Sequence, residues 1–418
     1  MTLFNIIAVL VTLSAIFSYI NYRYIRLPGT IGLMLIALLV SLGLIAMGPL
    51  GFGFEEKARL LLRSIDFDET LLHGMLSFLL FAGALHINLE DLSQQKWIIT
   101  SLATLSVIGS TFLVGILSWW VFIMLGLGLP MMYCFLFGAL ISPTDPIAVL
   151  SILKGMRVPK SLETKISGES LFNDGVAVVI FLILLDIVTK GHAITPEAIV
   201  FLFAREALGG IVFGLAIGLL AYWMLKRVDN YQVEVLITLG LVTGGYALAD
   251  TLHISGPISI VVAGLLIGNH GRLFAMSEKT RTNLDMFWEL VDVILNAVLF
   301  VLIGLEVLVL TFTREYLTAA ILVIPIVMLV RFISVGIPVT LLRFFRSFSP
   351  HVVKILTWSG LRGGISIALA LSLPASPHRD VILVVTYGVV VFSILVQGLT
   401  IRKVVRALHS LSNSSTRV

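Results

Sequence analysis

The sequence predicts an all-α polytopic membrane protein of about thirteen transmembrane helices, built as two inverted six-helix repeats joined by a linker helix. Hydrophobic residues make up 58% of the 418 residues and charged residues only 12%, against roughly 25% charged in an ordinary soluble domain. Apolar runs of about 20 residues, which span a hydrocarbon core about 30 Å thick, recur along the chain. Two of these runs are interrupted by helix-breaking residues. In a membrane, such a break is tolerated only where the backbone is buried in protein or lines a polar cavity.

The apolar runs are separated by short loops. The thirteen predicted spans are residues 3–22, 29–50, 70–88, 97–126, 130–153, 163–189, 198–225, 230–252, 256–269, 284–311, 316–343, 351–374 and 380–406. Because the loops are short, no separate water-soluble catalytic domain is expected. Any activity therefore belongs to the membrane-embedded part.

The basic residues lie mostly in loops on one side of the predicted membrane, with clusters at 154–165, 271–281 and 402–406. The positive-inside rule then predicts an N-terminus outside and a C-terminus in the cytoplasm. Thirteen crossings of a cell (plasma or inner) membrane likewise put the two termini on opposite sides. The same residues do not form one basic stripe, so the net charge of +4 does not indicate a nucleic-acid partner.

Both interruptions occur at equivalent places in the chain. The fifth span contains "ISPTDP" (141–146), with two prolines, and the twelfth contains "GLRGGIS" (360–366), with three glycines. Proline removes a backbone donor and glycine weakens a helix. If the seventh span is a linker, each break lies in the fifth helix of its half. Broken helices in halves of opposite topology are typical of transporters with midplane binding sites.

Charged residues inside the spans indicate where a binding site lies. In "GESLFNDGVAVV" (168–179) the sixth span begins with two carboxylates and an amide. At about 100° per residue, Ser170 and Asp174 share one helix face, whereas Glu169 and Asn173 share another. A charge near the membrane midplane is costly unless it is paired or hydrated. The two carboxylates are therefore expected to have different roles.

Glu169 is predicted to pair with Arg331, the one cation deep in the eleventh span, because a buried arginine favours a carboxylate partner. That leaves Asp174 to bind a proton or a metal cation. Asp145, beside Pro146, either faces Asp174 or caps the half-helix that starts at that proline. Arg362, at the second break, either neutralises the C-terminal ends of half-helices or contacts the transport route.

Four features together resemble the NhaP-type monovalent cation/proton antiporters of the sodium/proton exchanger family: "SPTDP", "GESLFNDGVAVV", the buried Arg331 and "GLRGGISIALALSLP". The resemblance implies the NhaA/NapA-like antiporter fold and a homodimer, in which a core domain moves against a scaffold. The implied parts are scaffold and dimerisation helices 1–3 (1–96), core helices 4–6 with the ion site (97–189), linker helix 7 (190–229), scaffold helices 8–10 (230–311), core helices 11–13 (312–409) and a short cytoplasmic tail (410–418).

The resemblance also implies roles for individual residues. The implied ion-binding residues are Asp174, Ser170, Thr144 and Asp145, and the implied cation ligands are Asp174, Thr144 and Ser170. The implied supporting residues are Asn173, Glu169, Arg331 and Arg362. Asn173 in place of a second aspartate resembles the electroneutral branch of the family. No cofactor is implied, because the monovalent cation and the proton are substrates.

The predicted function is secondary antiport of Na⁺, or of Li⁺ or K⁺, against H⁺ in a one-for-one exchange, and the protein is not expected to be an enzyme. A K⁺-selective cation/proton antiporter is the nearest alternative. A cation channel lined by the same carboxylates is a second, although two broken helices in inverted halves favour a transporter. An intramembrane aspartyl protease with Asp145 and Asp174 as its dyad is a third, but the sequence has no Gly-x-Gly-Asp motif.

Overall fold

The computed structural model describes residues 3–48, 54–63, 74–146, 149–150, 153, 160–190, 196–344, 348 and 351–415. In these ranges all regular structure is helical, which confirms the predicted all-α class. We number the helices in chain order as α1 Leu3–Ile20, α2 Gly29–Met47, α3 Phe54–Arg63, α4 Leu76–Leu85, α5 Leu89–Gln94, α6 Lys96–Ala103, α7 Leu105–Met124, α8 Met131–Ile141, α9 Lys160–Lys190, α10 Pro196–Leu225, α11 Tyr231–Thr251, α12 Gly256–Leu266, α13 Arg272–Phe274, α14 Glu278–Glu306, α15 Arg314–Leu342, α16 Val352–Trp358, α17 Gly364–Leu371, α18 Pro377–Phe392 and α19 Gly398–Ser415. Short π-helical turns at Asn21–Ile25, Ile267–Gly271 and Ser393–Gln397 extend or join these helices.

Ten helical stretches in the described ranges are long and apolar enough to cross a membrane, so the chain is a multi-pass membrane protein. They correspond to ten of the thirteen predicted spans. In the predicted third span, 70–88, the described residues form the ten-residue helix α4. The first four residues of this span, 70–73, lie outside the described ranges. The fifth and twelfth are shorter because they are broken: α8 ends at Ile141, and α16 and α17 are separate helices. The number thirteen therefore stays a prediction.

Small residues bring the helices close together. A side chain at Gly304 of α14 would collide with Ala37 and with the backbone of α2, and Ser41 of α2 donates a hydrogen bond to the Gly304 carbonyl at 3.0 Å. At Gly138 of α8, a Cβ would collide with the backbone of Thr111 in α7. Close backbone approach at small residues is how helices associate where the hydrophobic effect cannot drive them together. The α7–α8 contact fixes the position of the first break.

Helix α15 lies beside the second break, where the Arg331 side chain approaches Gly360. It contains Pro325 and Pro338 and still continues from Arg314 to Leu342. One side is exposed and apolar, with Leu329 and Ile337 more than half exposed, as expected of a lipid-facing surface. The other side carries the buried Arg331 into the protein interior. This helix therefore supplies a cation to the site without exposing it to lipid.

Candidate functional site

The first break follows α8 directly. The Ser142 hydroxyl donates to the Gly138 carbonyl at 2.6 Å and so closes the last turn of α8. After Pro143 the chain runs without regular structure to Pro146, whose carbonyl accepts a hydrogen bond from the Leu150 backbone at 2.7 Å. In the described residues, the break therefore covers the short segment 142–146, in which the two prolines disfavour a continuous helix.

The second break, residues 359–363 between α16 and α17, lies against the first. The backbone N–H of Asp145 donates to the carbonyl of Leu361 at 2.7 Å, which joins the two unwound segments directly. A Cβ on Gly363 would lie 2.6 Å from the Asp145 Cβ. Only a glycine at this position lets the half-buried Asp145 side chain approach the start of α17 so closely.

Arg362 holds the two breaks together. Its side chain is buried, and Nη1 donates to the carbonyl of Ser142 and, at 2.9 Å, to that of Pro143. These carbonyls belong to the C-terminal end of the half-helix α8, where the helix dipole favours a cation. Of the two roles that the sequence left open for Arg362, its contacts are therefore those of the neutralising residue.

The last carbonyl group of the other half-helix, α16, bonds to the π-helical turn 393–397, for which the sequence predicts no role. Gln397 donates from Nε2 to the Trp358 carbonyl at 3.2 Å, and its Oε1 accepts a hydrogen bond from Ser393 at 2.7 Å. Ser393 in turn accepts the backbone N–H of Arg362 at 2.9 Å. The one signal in the sequence was a glutamine inside an otherwise apolar run, which is costly there unless it is bonded.

Glu169 and Arg331 form the ion pair predicted from the sequence. Arg331 Nη1 lies 2.5 Å from Glu169 Oε1, and both side chains are buried. Arg331 also donates from Nη2 to the Leu356 carbonyl at 3.4 Å. A Cβ on Gly360 would lie only 2.7 Å from the Arg331 Nε, so the first glycine of the break makes room for the guanidinium group. The pair thus connects α9, α15 and the second break.

Polar side chains of α9 meet the first break at Thr144. The Thr144 hydroxyl lies 3.1 Å from that of Ser170 and accepts a hydrogen bond from Asn173 Nδ2 at 2.9 Å. The Thr144 backbone N–H lies 3.4 Å from Asn173 Oδ1. Asn173 therefore holds both the backbone and the side chain of Thr144 in place. The structure brings Thr144, Ser170 and Asn173 into one hydrogen-bonded group.

Asp174 follows this group on α9 and is 7% exposed. Its carboxylate is close enough to Asp145 for the two negative charges to interact. In the described part of the chain, no Lys or Arg forms an ion pair with Asp174. Carboxylate and hydroxyl oxygens are ligands that suit a hard cation, in contrast to the His and Cys ligands of transition metals.

The two buried arginines border a small cavity. A cavity of about 10 Å³ lies between Arg331, Arg362 and Gln397, which is at the lower limit for holding one water molecule. A hydrated cation does not fit there.

Comparisons with known proteins show the family to which the chain belongs. Residues 9–407 match the family model described as the transmembrane part of the sodium/hydrogen exchangers. The chain is 50% identical over 411 residues to the Na⁺/H⁺ antiporter NhaP of Pseudomonas aeruginosa, covering 97% of each chain. It is 34% identical over 391 residues to the Na⁺/H⁺ antiporter NhaH of Halobacillus dabanensis, covering 92% of this chain and 93% of the relative.

The fold has a counterpart among solved structures. The sodium proton antiporter MjNhaP1 from Methanocaldococcus jannaschii superimposes with a TM-score of 0.76 at 19% sequence identity, covering 98% of this chain and 99% of the other. This similarity confirms the predicted antiporter fold. Members of the matched family are transporters, which agrees with the prediction that the protein is not an enzyme. By its family match along nearly its whole length, the chain belongs to the sodium/hydrogen exchanger family.

Proposed function

We propose that this protein is a secondary antiporter that exchanges Na⁺ for H⁺, with Asp174 as the residue that carries either ion. The observation that supports this most directly is the position of Asp174. Its carboxylate is almost fully buried, has no cationic partner in the described residues, and follows a group of hydroxyls organised by Asn173. A buried carboxylate without a fixed cation is stable only when a proton or a mobile cation neutralises it.

Exchange follows from competition for this carboxylate. Na⁺ binds to Asp174 with the oxygens of Thr144 and Ser170 as further ligands, and Asp145 adds negative charge beside it. A proton on Asp174 excludes the cation. Crossing with an empty, charged carboxylate is suppressed because it would move an unpaired charge along low-dielectric walls. The gradient of one ion therefore drives the other.

Glu169, Arg331 and Arg362 support the site without carrying ions in this proposal. Glu169 is neutralised by its ion pair with Arg331, and Arg362 donates hydrogen bonds to the carbonyls that follow α8. Asn173 cannot carry a proton. Asp174 is then the one group that alternately binds Na⁺ and H⁺. The exchange is therefore one Na⁺ for one H⁺ and moves no net charge.

The movement that we propose is that of a core domain, 97–189 and 312–409, against scaffold helices 1–3 (1–96) and 8–10 (230–311), with helix 7 (190–229) as the linker and 410–418 as the tail. The contacts between the two breaks, α9 and α15 support a core that moves as one body. We further propose a homodimer in the cell membrane with the N-terminus outside and the C-terminus in the cytoplasm, the orientation that the basic loops favour.

The test is cation exchange in proteoliposomes that enclose a pH-sensitive dye. An outward proton gradient is relaxed by adding Na⁺, Li⁺ or K⁺ outside, for the wild type and for Asp174→Asn. Asp186→Asn, on the same helix, is the matched control. We expect Na⁺-driven proton movement in the wild type and the control and none in Asp174→Asn.

Each alternative has its own outcome in this assay. A response to K⁺ in place of Na⁺ would make the protein a K⁺/H⁺ antiporter. Cation flux that does not saturate and needs no counter-ion would indicate a channel. Exchange that persists in Asp174→Asn would overturn the assignment of the carrier residue.

A further inference from the structure

A cleft of about 450 Å³ lies at the C-terminal end of α15, between that helix and α16. Apolar side chains form its wall, among them Phe332, Ile337 and Val353. Cationic or titratable side chains from both helices lie at its rim: Arg343, His351 and Lys354. We propose that this cleft binds one anionic phospholipid, with the phosphate at the basic rim and an acyl chain along the apolar wall.

The apolar wall supports a lipid as the occupant. Ile337 is 56% and Leu341 60% exposed on the same side of α15, so the cleft is continuous with the apolar outer surface of the helix. A segment exposed in this way in a membrane protein lies against acyl chains. A free phosphate ion would use the rim and leave the apolar part of the cleft empty.

The charge of the rim supports an anionic headgroup. In the described part of the chain, no carboxylate forms an ion pair with Arg343 or Lys354. Both side chains are exposed, at the end of the membrane span where a headgroup lies. Thr340, one turn before Arg343, adds a hydroxyl donor to the cleft. Basic pockets between helices at the membrane surface favour anionic lipids by electrostatic attraction.

A lipid in this cleft joins two helices that lead to the ion site. Phe332 of the cleft is adjacent to Arg331, and α16 runs directly into the break at 359–363. The lipid would therefore connect α15 to α16 at the membrane surface. This inference does not depend on which ions the protein exchanges.

The test is a titration of the purified full-length protein in detergent with phosphatidylglycerol, followed by native mass spectrometry. We compare the wild type with Arg343→Gln/Lys354→Gln, which removes two rim charges. The matched control is Lys226→Gln/Arg227→Gln, two exposed cations that follow α10. We expect the first phosphatidylglycerol to bind about tenfold more weakly to the rim variant, equivalent to about 1.4 kcal/mol, and unchanged to the control.

A second variant separates the lipid from a free anion. Gly336 lines the cleft, and a Cβ there would lie at an ordinary 3.7 Å from Val353, so Gly336→Leu fills the cleft without removing a charge. It should weaken phosphatidylglycerol binding as the rim variant does. Size-exclusion chromatography shows whether each variant is folded.

Three results would overturn the proposal. The first is unchanged phosphatidylglycerol binding in a folded rim variant or in folded Gly336→Leu. The second is equal binding of phosphatidylcholine and phosphatidylglycerol to the wild type. The third is displacement of the bound lipid by inorganic phosphate alone, which would make the rim a site for free anions.

Discussion

Asp174 is the residue whose chemistry we expect to be irreplaceable. An asparagine has a similar shape, but its amide can neither release a proton nor neutralise a cation. We therefore predict that Asp174→Asn abolishes Na⁺-driven proton movement while the protein elutes and unfolds like the wild type. Na⁺-driven proton movement that persists in folded Asp174→Asn would contradict this role.

Glu169 is predicted to act through Arg331. Removing one member of a buried ion pair leaves an uncompensated charge, which costs about 3–5 kcal/mol of stability. We therefore expect Glu169→Ala to have a lower midpoint temperature of thermal unfolding in detergent than the wild type. Glu163→Ala, in the first turn of the same helix, is the control and should change it little.

A double variant separates pairing from a general effect of the substitution. Replacing both buried partners by apolar residues of similar volume is often neutral for stability. Glu169→Leu/Arg331→Met should therefore be more stable than Glu169→Ala. Equal destabilisation of the two would contradict a role of Glu169 that is limited to neutralising Arg331.

Asn173 is expected to determine how well the site binds Na⁺. Its Nδ2 bonds to the Thr144 hydroxyl at 2.9 Å and so orients a proposed cation ligand. Without this bond, Asn173→Ala should retain exchange, with a KM for Na⁺ about tenfold higher, the equivalent of about 1.4 kcal/mol of binding free energy. The KM and the maximal rate are measured from initial proton fluxes. A fall in the maximal rate at an unchanged KM would contradict the orienting role.

At the scale of elements, the contact between the two breaks requires a glycine. A Cβ at 363 would lie 2.9 Å from the Asp145 Cγ and would displace a carboxylate of the site. Gly363→Ala should therefore strongly reduce exchange and, as an overpacked core position, cost about 1–3 kcal/mol of stability. Gly240→Ala is the matched control, because nothing lies within 4 Å of the added methyl group and alanine favours a helix. Similar behaviour of the two variants would show that the breaks tolerate separation.

For the whole molecule, a single carrier carboxylate predicts a transport cycle that is insensitive to voltage. One H⁺ should leave for each Na⁺, and no net charge should move. A cycle with two protons would move one charge, worth about 2.3 kcal/mol per 100 mV of membrane potential.

The measurement uses proteoliposomes on which valinomycin imposes potassium diffusion potentials of opposite sign, after a check that K⁺ itself is not transported. We expect the same final pH gradient at both potentials. A final gradient that shifts with voltage would show that a second titrating group, Asp145 or Glu169, takes part in the cycle.

Much of this protein follows from its sequence because the relevant signals are local. Apolar runs predict membrane-spanning helices wherever they occur, since each residue contributes to the transfer free energy by its own side chain. Prolines at 143 and 146 and glycines at 360, 363 and 364, each clustered within a few residues, weaken a helix by their own backbone chemistry. Helix periodicity places Ser170 and Asp174 on one face. The spans, the breaks and the candidate carboxylates could therefore be predicted without coordinates.

Only the tertiary structure decides which groups these local elements meet. Arg362 bonds to carbonyls 219 and 220 positions away in the chain, and Ser393 and Gln397 satisfy the break from another helix. Hydropathy carries no information on such partners. A buried polar group needs a hydrogen-bond partner, but the local sequence around it does not specify which residue that partner is. The pairing of Glu169 with Arg331 was predictable, since the eleventh span offers a single deep cation. Where several partners were possible, as for Arg362, the packing of the helices determines which groups come within hydrogen-bond distance.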